Sequence, residues 1–168
     1  DTLSIAHFAR SIGQDFSIVE AVLKVNQRQR DYAFQKIVDA CGGSLQGVTV
    51  AMLGLSFKPE TDDIRESAAM DIGRELLAAG ATVRVYDPEA MKAASVELPD
   101  LVMCKDPYET CEDAEVLTIV TEWNEFRALD LERLGKVLRS KKIVDMRNIY
   151  EPDSLRAMGF EYWSIGRP

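Results

Sequence analysis

Apolar positions recur at two different spacings along the chain, and the change falls near Gly42-Gly43. Upstream, Leu3, Ile5, Ala6, Phe8 and Ala9 form a short apolar stripe that Gly13 breaks. A second run places Phe16, Val19, Val22, Leu23, Ala33, Phe34, Ile37 and Val38 three and four residues apart, which predicts an amphipathic helix. Asp15 and Ser17 are candidate caps at its start, and the glycine pair ends it. A helix of about 25 residues spans ~38 Å, more than a small domain can cover, so it is expected to pack on another domain or subunit. Its middle, Asn26-Gln-Arg-Gln-Arg-Asp31, is polar all round and reads either as a solvated face or as a polar interface.

After Gly47 the pattern changes. Val48 to Leu53 is a short apolar run beside glycines, as expected of a strand buried on both faces. Thr82 to Tyr86, Ala114 to Val120 and Lys142 to Val144 repeat the theme. Between them lie helical stretches such as Ser67 to Ala79, with Ser67 as N-cap and Gly80 just past the end. Alternating strands and helices predict an α/β fold: a Rossmann-like open parallel sheet flanked by helices and preceded by the long connecting helix. The expected division is a helical connector over 1–43 and an α/β domain over 44–168. Ligands in such sheets sit beyond the carboxyl ends of the strands.

Composition narrows the partners. The chain has 168 residues, 46% of them hydrophobic, and a net charge of −8. Such an acidic balance argues against a nucleic-acid surface, which needs clustered cations, but one or two placed cations suffice for a nucleotide diphosphate. Cys41, Cys104 and Cys111 are odd in number and lack C-x-x-C spacing, so neither a disulfide framework nor a zinc site is expected. Reduced thiols fit a cytoplasmic protein. No apolar run approaches the ~20 residues of a membrane span. The first residues lack a signal-peptide pattern, and an opening Asp without Met reads as a fragment or processed product. His7, the one histidine, has no evident partner and reads as structural.

The chemistry is expected in three loops. The first strand feeds Gly54-Leu-Ser-Phe-Lys-Pro-Glu-Thr-Asp-Asp-Ile-Arg-Glu-Ser67, which is not the G-x-G-x-x-G dinucleotide fingerprint. Asp87, at the position of a ribose-binding acid, reads without those glycines as a cap or turn residue beside Pro88. Lys58 offers a point charge for a phosphate and Arg65 a two-pronged grip, yet either is equally placed to pair with Glu60, Asp62, Asp63 or Glu66. A second loop, Asp145-Met-Arg-Asn-Ile-Tyr150, carries Arg147, which faces either a ligand or Asp145. In the third, Thr121-Glu-Trp-Asn-Glu-Phe126, Trp123 either stacks on a ring or fills the core.

These loops, with Val-Tyr-Asp-Pro, Val25-Asn26-x-x-Gln29 and Ile165-Gly166-Arg167, closely resemble the nucleotide-sugar (UDP-glucose/GDP-mannose) dehydrogenase family over essentially the whole chain. Thr121 to Phe126 and Asp145 to Tyr150 point within it to members that oxidise UDP-glucose. The resemblance implies an oxidoreductase that converts the sugar C6 alcohol to a carboxylate with two NAD⁺ and one water. It implies an N-terminal NAD domain and a UDP-binding C-terminal domain. Between them it implies a cysteine in a Cys-x-x-Lys-Asp context, a soft nucleophile suited to a thiohemiacetal and a thioester. Asp1 resembles the Asp of that motif, which would position or activate the hydrolytic water; the nucleophile would then lie upstream. By the same resemblance Phe57, Lys58 and Arg147 contact the UDP-sugar, and Arg65 reaches the NAD. It also implies a homodimer or larger assembly through the central helix. Other nucleotide sugars (a UDP-N-acetyl-hexosamine or GDP-mannose) remain alternatives, as does a non-catalytic dimerisation module. Glu122 and Trp123 receive no role from it.

Overall fold

The computed structural model describes residues 2–167, and the chain divides into two compact units, residues 1–33 and 34–168. Asp1 lies outside the described residues.

In the first unit, α1 (Thr2–Ser11) is followed by the start of α2 (Ser17–Ala40). The turn at Gly13 has φ +68°, a left-handed conformation that glycine adopts without steric cost. Arg10 grips the carboxylate of Glu20 with two hydrogen bonds of 2.7 Å, fixing the angle between the two helices. With 24 residues, α2 is about 36 Å long. It ends where Gly43 N–H returns to Val38 C=O at 2.9 Å. Leu3, Ile5, Phe8, Ile18, Val22 and Val25 remain exposed on these helices, as does Ile12 in the turn between them.

The second unit is the expected open parallel sheet. Its strands are β1 (Thr49–Leu53), β2 (Thr82–Tyr86), β3 (Val102–Met103), β4 (Val116–Ile119), β5 (Lys142–Asp145) and β6 (Glu161–Ser164), in the spatial order β3-β2-β1-β4-β5-β6, every pair parallel. Four strands fall where the apolar runs place them. The two missed strands are both edges: β3 is too short to show a period, and β6 is masked by its polar ends, Glu161 and Ser164. Helices α3 (Ala68–Ala78), α4 (Met91–Glu97), α5 (Pro107–Cys111), α6 (Asn124–Arg127), α7 (Leu131–Val137) and α8 (Pro152–Ala157) make the crossovers. Leu53, Leu117, Ile119 and Ile143 on the central strands pack with Phe126, Leu134 and Leu155 in a cluster shielded from water. Burial on this scale supplies the main drive to fold.

Helix α3 begins as its sequence predicts. Ser67 Oγ accepts from Ala69 N–H at 3.2 Å and donates to Leu55 C=O at 2.7 Å, tying the helix start to the β1 loop. Gly80, with φ +85°, follows its last turn.

From β1 the chain winds outward through β2 to β3, then returns to β4 beside β1 and winds the other way. The carboxyl ends of β1 and β4 therefore meet at the reversal of strand order, where such sheets open a crevice. They meet tightly. Gly54 has φ +92°, and a Cβ built there would stand 2.5 Å from Thr121 Cβ and 2.6 Å from Thr121 N. Gly54→Ala would combine backbone strain with a clash against main chain, and is expected to lower unfolding stability by about 3 kcal/mol in a denaturant titration.

Candidate functional site

Asp87, at the carboxyl end of β2, organises the reversal point. It is buried, and its Oδ2 accepts from Leu55 N–H at 2.7 Å, Ser56 N–H at 3.0 Å, Ser56 Oγ–H at 2.9 Å and Trp123 Nε1–H at 3.1 Å. Its Oδ1 accepts from Glu89 N–H at 2.9 Å and Ala90 N–H at 2.8 Å. Burial by itself would raise this carboxyl's pKa, but the N–H groups of Ser56, Leu55, Ala90 and Glu89 favour the anion and hold it below the usual carboxylate value. Asp87 is thus the turn residue its sequence context predicts, and it reaches further than a turn. A carboxylate with both oxygens engaged has no capacity left for a ribose.

Trp123 settles in the core rather than on a ligand. It is 6% exposed, and its indole N–H points at both Ser56 Oγ and Asp87. Thr121 Oγ1 adds a hydrogen bond of 2.7 Å to Ser56 C=O. The loops after β1, β2 and β4 are therefore one hydrogen-bonded body. From it Phe57, 52% exposed, and Lys58 project into solvent while their backbone is held, Phe57 N–H donating to Asp63 C=O at 2.8 Å. The Lys58 ammonium has no partner among the described residues. The same loop also lines a hollow with Glu60, Thr61, Asp62 and Glu89, whose three carboxylates repel anions.

Asp145 plays the matching part after β5. It is fully buried, and it accepts from Arg147 N–H at 2.9 Å, Ile149 N–H at 2.8 Å, Tyr150 N–H at 3.1 Å and Tyr162 O–H at 2.8 Å. Asn148, at φ +54°, ties the loop to Ile165 C=O at 3.0 Å. Fixed in this way, the Arg147 side chain turns towards the neighbouring strand end. Its Nε–H donates to Val120 C=O at 2.6 Å, and Glu122 Oε2 lies 3.0 Å from Nε. Its carboxylate neighbour is Glu122, not the Asp145 that adjacency suggested.

Arg65 takes the local option. It binds Asp63 at 2.9 and 2.6 Å, with its side chain 87% exposed. The guanidinium hydrogen bonds draw the Asp63 carboxyl down to about 2. The thiols are unsuited to nucleophilic work. Burial pushes all three upward in pKa, and Cys111 is wholly enclosed. His7 is exposed, and no group of His, Cys, Asp and Glu among the described residues could hold a metal ion.

Phe57 and Lys58 thus stand on a fixed loop at the topological switch point, without dinucleotide glycines, while Arg147 on the β5 loop reaches the end of β4. Residues 51–152 match the UDP binding domain of the UDP-glucose/GDP-mannose dehydrogenase family. The chain belongs to that family. It is 43% identical over 168 residues to a UDP-glucose 6-dehydrogenase of Rhizobium meliloti, aligning with 100% of this chain and 38% of the relative. Among solved structures it resembles a UDP-glucose dehydrogenase of Pyrobaculum islandicum (TM-score 0.80, 35% identity), covering 97% of this chain and 35% of that one. It also resembles an NDP-N-acetyl-D-galactosaminuronic acid dehydrogenase of Methanosarcina mazei (TM-score 0.83, 26% identity), covering 99% and 36%. The chain thus spans 38% of the length of the Rhizobium relative. Phe57, Lys58 and Arg147, the residues that the family resemblance singles out, stand on the loops of β1 and β5, which flank β4. Sequence reasoning named Asp87 as a turn residue and Asp145 as a candidate partner of Arg147, but not the reach of either carboxylate to Trp123 and Tyr162 on other segments.

Asp87→Asn is expected to destabilise the fold by about 2–4 kcal/mol, because an amide nitrogen cannot accept the N–H groups that a carboxylate oxygen does. Asp87 has a depressed pKa in the folded state. Its contribution is full above the unfolded value of about 3.9 and is lost as pH falls through the folded value. Melting temperatures taken from pH 6 down to about pH 2 should therefore fall less steeply for the Asn variant than for the wild type.

Proposed function

We propose that this chain is the UDP-sugar-binding part of an NAD-dependent UDP-glucose 6-dehydrogenase. The observation that carries this reading is the presentation of Phe57 and Lys58. Both side chains are exposed, and the loop beneath them is fixed by Asp87 and Trp123. A site already ordered before binding loses little further entropy on taking a ligand. In this reading Phe57 packs on the ligand, Lys58 neutralises a phosphate as a point charge, and Arg147 supplies a directional grip from the β5 loop. UDP-glucose is the proposed ligand.

The reaction of the whole protein would take UDP-glucose, two NAD⁺ and one water to UDP-glucuronate, two NADH and three protons. NAD, when bound, accepts hydride from the sugar C6. This domain's own turn does not suit it: the loop after β1 lacks the glycines, and Asp87 is saturated. NAD therefore belongs mainly to the N-terminal domain, with Arg65 reaching it once released from Asp63, and Asp1 beside the hydrolytic water. In the same reading the thiol nucleophile is the cysteine of a Cys-x-x-Lys-Asp context between the two domains. Among the thiols here, Cys104 and Cys111 are buried, and none stands in a Cys-x-x-Lys-Asp context.

Residues 1–43 are assigned to a connector and dimerisation arm, and 44–168 to the UDP-sugar domain. Exposed Phe8 (63%) and Ile18 (77%) favour a homodimer or larger assembly through the helices. No helix among the described residues is long and apolar enough to cross a membrane, and a cytoplasmic site of action suits the reduced thiols. A UDP-N-acetyl-hexosamine is the second ligand reading; the likeness to the Methanosarcina NDP-N-acetyl-D-galactosaminuronic acid dehydrogenase favours the N-acetylated sugar without specifying the base.

Calorimetric titration of UDP-glucose into the chain should give heat, with Lys58→Ala and Arg147→Ala each weakening binding about ten- to a hundredfold, the worth of a charge-assisted hydrogen bond. Competition should favour UDP over GDP, and the chain alone should produce no NADH. Absence of heat together with a concentration-dependent dimer would instead support a dimerisation module.

A further inference from the structure

The Arg147–Glu122 pair is geometrically incomplete. Arg147 Nε carries one hydrogen, and that hydrogen is directed at Val120 C=O, 2.6 Å away. Glu122 Oε2, 3.0 Å from the same nitrogen, is therefore held by charge alone. That oxygen is buried and has no hydrogen-bond partner among the described residues. The two side chains as wholes are partly open, at 38% and 37% exposure, so solvent or a ligand reaches the pair. Arg147 does not need Glu122 to keep its place. Val120 C=O fixes Nε, and Asp145 fixes the Arg147 backbone at 2.9 Å. What Glu122 contributes is a negative charge beside the guanidinium, which lowers the pull of Arg147 on any other anion.

We infer that Glu122 is a displaceable counter-ion of Arg147, one that partly neutralises the guanidinium in the empty site and gives way to the diphosphate of an incoming nucleotide sugar. This rests on the reading of Arg147 as a ligand contact. Glu122 tunes affinity downward, favouring release of a charged nucleotide product. A partly exposed ion pair is worth little, so the gain on removing it is modest: about three- to fivefold in Kd. The isosteric Glu122→Gln keeps the volume and removes the charge.

The test is a calorimetric cycle in which UDP is titrated into the wild-type chain, Glu122→Gln, Arg147→Ala and the double variant, with thermal melts to establish that each is folded. Glu122→Gln should bind UDP about three- to fivefold more tightly than wild type, and the gain should vanish in the Arg147→Ala background. A merely structural Glu122 would give weaker or unchanged binding on neutralisation. That result, with wild type still binding UDP, would overturn the inference and leave the UDP-sugar reading standing. A gain that persists without Arg147 would also overturn it, since the charge would then act on the ligand directly. No heat from any folded form, wild type included, would overturn the underlying reading and the counter-ion role with it.

Discussion

The site depends on one buried carboxylate. Asp87 gathers N–H groups from the loops after β1 and β2 and the indole of Trp123 after β4. Three separate chain segments thereby acquire one geometry. Removing a carboxylate from water is costly, and the cost is offset here because donors surround both oxygens. Asp145 repeats the device after β5, where it sets the turn that carries Arg147. The loops that carry Lys58 and Arg147 are thus held from within by buried anions, and Val120 C=O adds a direct hold on the Arg147 side chain.

The same carboxylate sets this sheet apart from the dinucleotide-binding pattern. The end of β2 is where such folds place an acid for ribose. Here that acid points inward and is consumed by the protein. Gly54 lies against Thr121, so the loops after β1 and β4 approach closely enough to exclude even a Cβ. In the proposed reading, binding falls instead to the side chains of Phe57, Lys58 and Arg147 on the loops of β1 and β5. The family match over residues 51–152 covers the sheet from β1 to β5 rather than the helices before it.

Much of the architecture was legible in the sequence because it follows from period. Buried central strands read as unbroken apolar runs, and Ser67 and Gly80 marked the two ends of α3 as chemistry requires. The edge strands did not read, since β3 has two residues and β6 begins with an exposed glutamate. At the site, the cations were visible from residue type and loop position. Their partners were legible only where they are near in sequence. Arg147 and Glu122 are far apart in sequence, and only the β4–β5 register brings their loops together. Arg65 paired with Asp63, the nearest option, because two residues of separation suffice for a chelate. Trp123 resolved towards the core once its indole found a buried acceptor.

The short β3 edge has a further consequence for how the protein behaves at high concentration. A strand of two residues exposes almost no ladder for a foreign strand to extend, and the opposite edge begins with the charge of Glu161. Templated sheet growth is thereby discouraged on both flanks. The water-facing Phe8 and Ile18 carry no such protection. Crowding this chain in solution favours contacts between helices over fibre-like stacking of sheets.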